Sequence, residues 1–191
     1  VTDRTARTAI VHFSATGTTA ALAEAAAAGA REAGEVEIHA ITAADIDGGR
    51  FVTEAALEMV DRADAVLFGS PTFMGGPAAQ FKAFADASSE RWEPQAWAGK
   101  AAAGFTAGNC PNGDQTHTLV YFTVLAAQHG MIWCGLDVPW GVDAGGINRL
   151  GVQTGLAAQP VDGGLPEEDL ATARHLGRRT ALLGGRLRMC P

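Results

Sequence analysis

Apolar runs of strand length alternate with segments of helical period along this chain, and that alternation limits the fold more than any other feature. Ala9-Ile-Val-His-Phe13 is followed by Ser14-Ala-Thr-Gly-Thr-Thr19 and an alanine-rich helix that ends near Gly34. The unit strand, loop, helix then repeats. Val36 to Ile41 predicts a second strand, Thr53 to Arg62 a helix with Ala56, Leu57 and Val60 on one face, and Ala65-Val-Leu-Phe68 a strand of the fully buried type. Pro77 suits the start of the next helix, where its missing N–H would have no partner in any case, and that helix carries Phe81 and Phe84. Lys100 to Phe105 predicts a fourth strand, Gln115 to His129 a helix, and Met131 to Gly135 a fifth strand. A last helix is expected from Pro166 to Leu187, with Glu167, Glu168 and Asp169 at its positive end and Arg178, Arg179 and Arg186 toward its negative end. The expected fold class is α/β: a five-stranded parallel sheet with right-handed crossovers and helices on both faces.

A length of 191 residues corresponds to a single domain, 1–191, able to bury a core. The net charge of −7 has the wrong sign for a phosphate backbone as main partner, so nucleic acid is set aside. The longest stretch without a charged side chain, Gln115 to Leu136, is interrupted by Thr118, Thr123, Gln128, His129 and Gly130, so no membrane span is expected. The first residues lack the apolar run and cleavage site of a secretory leader. Cys110, Cys134 and Cys190 are odd in number and widely spaced, which suggests neither a disulfide framework nor a zinc site and fits a cytoplasmic protein. Pro139 to Leu165 holds seven glycines without a clear period, and a segment of that length is expected near the site or a partner subunit.

In parallel sheets ligands bind beyond the carboxyl ends of the strands, where strand order reverses. The first such loop offers the hydroxyls of Ser14, Thr16, Thr18 and Thr19 with Gly17, immediately before a helix whose N–H groups attract a phosphate. The same residues could simply cap that helix, since Ser and Thr are preferred N-caps; four hydroxyls in six residues favour phosphate. No two glycines are separated by a single residue, and no G-x-x-x-x-G-K-[ST] occurs, which excludes the Rossmann fingerprint and the Walker loop. Ser14 and Ser70 stand where a phosphoacceptor receiver would need acids. There is no G-x-S-x-G and no H-E-x-x-H, so hydrolase and metal readings lose support and no metal is expected. Phe73 and Met74, in a loop bounded by proline and glycine after a buried strand, suit a flat aromatic ligand.

The hydroxyl loop, Gly69-Ser-Pro-Thr-Phe-Met-Gly75, Trp92 and His129-Gly-Met131 together resemble the flavodoxin-like NAD(P)H:quinone oxidoreductases of the WrbA type over nearly the whole chain. The resemblance implies FMN as cofactor, with Ser14, Ala15, Thr16, Gly17, Thr18 and Thr19 on its phosphate. It implies Pro71, Thr72, Phe73, Met74 and Gly75 along the ring, and Thr106, Ala107, Gly108, Asn109 and Gly113 closing the other side and the ribityl chain. It also implies His129 beside the flavin and Trp92 walling the nicotinamide or quinone pocket as the catalytic pair. The chain departs from the family in its third loop, Gly108-Asn-Cys-Pro-Asn-Gly113, in Phe73 where arginine is common, and in a shorter link between the second and third strands.

The resemblance thus implies hydride transfer from NADPH or NADH to FMN and two-electron reduction of a quinone or similar acceptor. Alternatives are an FMN reductase serving a monooxygenase and a flavodoxin-type electron carrier. A homodimer or homotetramer is expected, because family members build their sites at subunit contacts.

Overall fold

The computed structural model describes residues 5–111, 113–143 and 145–188. In chain order the elements are β1 (Ala6–Phe13), α1 (Thr18–Arg31), β2 (Gly34–Ile41), a 3-10 turn (Ala43–Asp45), β3 (Ile46–Asp47), β4 (Arg50–Phe51), α2 (Glu54–Arg62) and β5 (Ala65–Phe73). These are followed by β6 (Gly76–Pro77), α3 (Ala79–Ala87), α4 (Ser89–Trp92), β7 (Ala101–Ala107), α5 (Gln115–Gln128), β8 (Ile132–Trp133), β9 (Leu156–Ala158) and α6 (Glu167–Leu187).

The main sheet runs in the order β2-β1-β5-β7-β8, and these neighbours pair in parallel. From β1 the chain goes outward to β2 and then back across to β5, so order reverses between β1 and β5 and their carboxyl-end loops diverge over a crevice. This flavodoxin-like arrangement is the architecture that the alternating pattern implies.

The fifth strand position differs from expectation. It is filled by two short pieces: β8 pairs with Ala101 and Ala102, while β9 pairs with Phe105, Thr106 and Ala107. The expected strand Met131 to Gly135 is cut to Ile132–Trp133 because the chain turns out after Cys134 and returns only at Leu156. The ends of the excursion lie together, with the Leu136 N–H donating to the Gln153 carbonyl at 2.9 Å. A Cβ on Gly135 would stand 2.4 Å from that same carbonyl oxygen, so the close approach requires glycine.

Each sheet face has its own core. On one, Val11, Val66 and Phe68 meet Phe81, Phe84, Trp97 and Phe122 from the α2, α3 and α5 side; Phe81 and Phe122 stand 4.8 Å apart and tilted. On the other, Ile10, Leu67 and Phe105 meet Leu22 of α1 and Leu176 of α6. Helices α1 and α6 touch backbone to backbone, because a Cβ on Gly177 would fall 2.0 Å from the Ala26 carbonyl oxygen. Helix α6 keeps the charge polarity seen in the sequence, Glu167, Glu168 and Asp169 in its first turn and Arg186 in its last. Among the described residues no helix is long and apolar enough to cross a membrane. Cys190 lies outside the described residues.

Candidate functional site: three loops over the sheet edge

The first loop leaves β1 at Phe13 and enters α1 at Thr18. Gly17 is the N-cap residue, at φ 93° and ψ −21°, and no side chain caps the helix. Ser14 Oγ accepts the Gly17 N–H at 3.1 Å and so shapes the turn ahead of the helix rather than its first turn. The capping position thus belongs to glycine, and the N–H groups of the first turn have no side-chain cap and are open to an outside partner. Thr16 is exposed, Thr18 half-buried and Thr19 buried at the mouth of the helix.

The second loop is a hairpin. Ser70, fully buried, donates its hydroxyl to the Pro71 carbonyl and accepts the Ala78 N–H, both at 2.9 Å, and this ties the hairpin's base. Pairing of Phe73 with Gly76 leaves Met74 (φ 48°) and Gly75 (φ 79°) as a two-residue turn with both residues left-handed, the geometry that follows strand twist. The turn holds Phe73 half-exposed and Met74 wholly exposed. His117 of α5 donates Nδ1–H to the Gly75 carbonyl at 2.5 Å and pins the tip. Beneath, Thr72 Oγ1 stands 2.8 Å from the hydroxyls of both Thr106 and Thr118, so one knot of hydroxyls joins the hairpin, the end of β7 and α5.

The third loop leaves β7 at Ala107. Gly108 donates its N–H to the Ala158 carbonyl at 3.1 Å, and the loop is braced from below by Gln115, whose Nε2 donates to the Cys110 carbonyl at 2.7 Å. A Cβ on Gly108 would lie 2.7 Å from Gln115 Nε2, so a larger residue there would displace the glutamine that braces the loop. Asn112 lies outside the described residues, while Gly113 packs over Cys110.

The three loops enclose a pocket of about 170 Å³, to which the first gives Ala15, Thr16, Thr18 and Thr19, the second Pro71, Thr72 and Phe73, and the third Ala107, Gly108 and Asn109. Pro160, just after β9, completes the wall. Ser14, Gly17, Met74, Gly75, Thr106 and Gly113 shape these loops without lining the cavity. Among the described residues no carboxylate lines it, and its donors are neutral hydroxyls and backbone N–H groups, a set suited to a phosphate ester with a polyol chain and an aromatic ring against Phe73. A larger groove of about 540 Å³ between β4, α2 and α3 sets Glu54, Asp86 and Glu90 against the cation Arg50 in its lining, a net negative set that disfavours an anion.

The structure does not bring Trp92 and His129 to this pocket. They line a separate groove of about 330 Å³ with Tyr121, Val124 and Gln128. His129 is the C-cap of α5, whose N-terminus supports the pocket, and a helix of 14 residues separates its two ends by about 21 Å. The His129-Gly-Met131 sequence has a local structural cause. Gly130 (φ 66°) donates to the Ala127 carbonyl and Met131 to the Ala126 carbonyl, the paired bonds of a Schellman cap. His129 itself is buried, its ring 4.4 Å from that of Trp97. Ser88 Oγ donates to the Ala85 carbonyl at 2.8 Å and therefore accepts Nε2–H of His129 at 2.9 Å, and burial lowers the histidine's pKa.

Sequence reasoning missed Thr118, His117 and Pro160. Thr118 shares a helix face with Gln115, three residues before it, but nothing local shows that Thr72 and Thr106 meet it. It also missed His12, buried near the end of β1, whose pKa falls to about 4 through burial and the neighbouring His39.

The profile of the NADPH-dependent FMN reductase family matches residues 10–139. Flavodoxin FldP of Pseudomonas aeruginosa is 39% identical over 186 residues, covering 93% of this chain and 96% of its own length. An NAD(P)H dehydrogenase (quinone) of Archaeoglobus fulgidus is 34% identical over 198 residues, covering 95% of this chain and 99% of its own. Among solved structures, a flavodoxin, WrbA-like protein from Agrobacterium tumefaciens is 38% identical with a TM-score of 0.75, covering 95% of this chain and 98% of that one. With its three loops on a flavodoxin-like sheet and matches along most of its length, the chain belongs to the NADPH-dependent FMN reductase family, among its WrbA-like members.

Proposed function

We propose that this oxidoreductase holds FMN in the three-loop pocket and carries two electrons from NADPH or NADH to a quinone or similar flat acceptor. The uncapped N-terminus of α1, set in a pocket of neutral donors, carries the reading. When bound, FMN supplies the chemistry of accepting a hydride and passing the electron pair on. The first-turn N–H groups of α1, with Thr16, Thr18 and Thr19, hold the phosphate. Backbone groups of the second and third loops orient the ring and ribityl chain. Phe73, half-exposed on its pinned hairpin, gives donor and acceptor an apolar surface and keeps water from one side. His117 acts on this site only by fixing Gly75.

Within one chain Trp92 and His129 are too distant to take part, so they serve a pocket only if a second copy presents them. Trp92, Val120 and Val124, each more than two-fifths exposed, form an apolar face for that copy in a homodimer or homotetramer. Sedentary monomers at working concentration, measured by sedimentation, would leave Trp92 and His129 with packing roles alone. The need for reduced nicotinamide and the free thiols of Cys110 and Cys134 suit a cytoplasmic setting.

A second reading, the electron carrier, is favoured by the likeness to flavodoxin FldP. The two separate in one experiment: FMN is added to the purified protein, the visible spectrum recorded, and NADPH and NADH supplied anaerobically in turn. Direct bleaching by either nicotinamide supports the reductase; retained FMN that ignores both favours the carrier. The substitution Thr16→Glu with Thr18→Glu should abolish retention, since like charge meets the phosphate; unchanged binding would sink the assignment of this loop.

A further inference from the structure

We propose that the excursion splitting the fifth strand is a strut for the cofactor pocket, with Arg149 and Asp169 as positioning residues that set how tightly FMN is held. The excursion is tied down at Asn148. Asn148, buried and left-handed at φ 61°, donates Nδ2–H to the Val138 carbonyl at 3.0 Å, accepts the Val152 N–H at 3.0 Å on Oδ1, and donates its own N–H to Thr172 Oγ1 at 2.9 Å. One side chain thereby joins both limbs of the excursion, and the backbone joins them to α6.

The next residue reaches toward the pocket. Arg149 places Nε and Nη2 each 2.8 Å from the carboxylate oxygens of Asp169, a two-pronged ion pair whose acid is only 1% exposed. Both partners then grip Gln159. Arg149 Nη2 also donates to the Gln159 carbonyl at 2.7 Å, and the Gln159 N–H donates to Asp169 Oδ2 at 3.1 Å. The Gln159 side chain donates Nε2–H to the Asn109 carbonyl at 3.2 Å. Asn109 and Pro160, the residue after Gln159, both line the pocket. Two lining residues of the pocket are therefore held, through Gln159, by an ion pair whose acid is buried and whose arginine is partly exposed, and neither member of the pair lines the pocket.

Removing Arg149 leaves the buried Asp169 charge without its ion-pair partner, which is costly at 1% exposure, and Gln159 would lose a backbone bond with either residue. The charge of Asp169 also lies in the first turn of α6, where the helix dipole favours it, so the acid is the fixed point and Arg149 the moving part. The prediction concerns affinity, because the pair acts through wall position and not through the reacting atoms.

The inference rests on the FMN reading, and the test keeps the two apart. Asp169→Asn, Arg149→Gln and Arg149→Lys are compared with the unsubstituted protein by FMN titration, by FMN dissociation rate, and by amide hydrogen exchange of the cofactor-free protein. Asp169→Asn and Arg149→Gln should each raise the FMN dissociation constant by about tenfold or more, and the double variant by little beyond the worse single one. Arg149→Lys, which keeps the charge and loses the fork, should recover part of the loss. Exchange at the Gln159 amide should quicken by about tenfold or more while Ala102 and Ala103 at the centre of the sheet stay protected. Faster exchange at Gln159 with unchanged FMN affinity overturns the positioning role. Unchanged exchange at Gln159 in every variant overturns the clamp itself. If the unsubstituted protein takes up no FMN, the proposed function and the positioning role fall together, and the exchange data then judge the clamp alone. Should Asp169→Asn unfold, the two Arg149 variants carry the comparison.

Discussion

Lowering the pH from 7.5 to 5.0 should remove about 2 kcal/mol of stability through a single side chain, His12. The residue is 3% exposed in β1, and burial, assisted by the charge of His39, brings its pKa from 6.5 to about 4. The native chain therefore takes up a proton at His12 only near pH 4, whereas the unfolded chain does so near 6.5. Between those values the unfolded state binds more protons, so stability falls as the pH is lowered through this window. Above it the contribution is fully present, and below about 4 no more is lost. The full separation of the two values corresponds to about 3 kcal/mol, of which about 2 is spent by pH 5. Urea unfolding at both pH values, for the unsubstituted protein and for His12→Gln, provides the assay. The variant starts from its own stability, so only the change with pH is compared. Its loss between pH 7.5 and 5.0 should be smaller by about 2 kcal/mol. His129, also lowered by burial, supplies a remaining slope of the same sign in both proteins. Equal slopes with and without His12 would refute the argument, as would a native His12 ring that titrates near 6.5 by proton resonance.

Two further substitutions probe other parts of the structure. Thr72→Val removes the central hydroxyl of the knot with Thr106 and Thr118 and should cost about 1–3 kcal/mol in urea unfolding, together with weaker FMN binding as the hairpin loosens. A stability within about 0.5 kcal/mol of the original would mean that those hydroxyls satisfy each other without it. Gly177→Val places a branched side chain where even a Cβ would stand 2.0 Å from the Ala26 carbonyl oxygen. It should force α1 and α6 apart and cost more than about 3 kcal/mol, read as a lowered thermal midpoint, while Gly48→Ala in the exposed β3–β4 turn should cost much less.

The alternation of strand and helix, and with it the α/β fold, was legible because each buried β-strand and each amphipathic helix writes its period locally. Three of the pocket's walls were legible for the same reason: the loops follow strands whose carboxyl ends must face one way in a parallel sheet. Gly17 could be placed in a turn, but its role as N-cap, which leaves the first turn of α1 without a side-chain cap, needed the backbone angles. The separation of Trp92 and His129 from the pocket follows from direction. A helix returning from the carboxyl edge of a parallel sheet ends at the opposite edge, so a residue at its C-terminus lies far from the ligand loops of its own chain.

What sequence alone determined, then, were features decided over a few residues: the strand and helix periods, the charge polarity of α6 and the hydroxyls ahead of α1; Pro77, expected to open a helix, instead pairs with Thr72 in β6, and α3 begins only at Ala79 after Ala78 as its N-cap. Only the tertiary structure decided what depends on meetings between distant segments. The split of the fifth strand depends on Gly135 lying against Gln153, and the hydroxyl knot on Thr72, Thr106 and Thr118 arriving at one point. The fourth wall depends on Asp169 and Arg149 gripping Gln159 from two different elements. Such contacts leave no period in the sequence, because each is formed by side chains whose neighbours along the chain are doing something else.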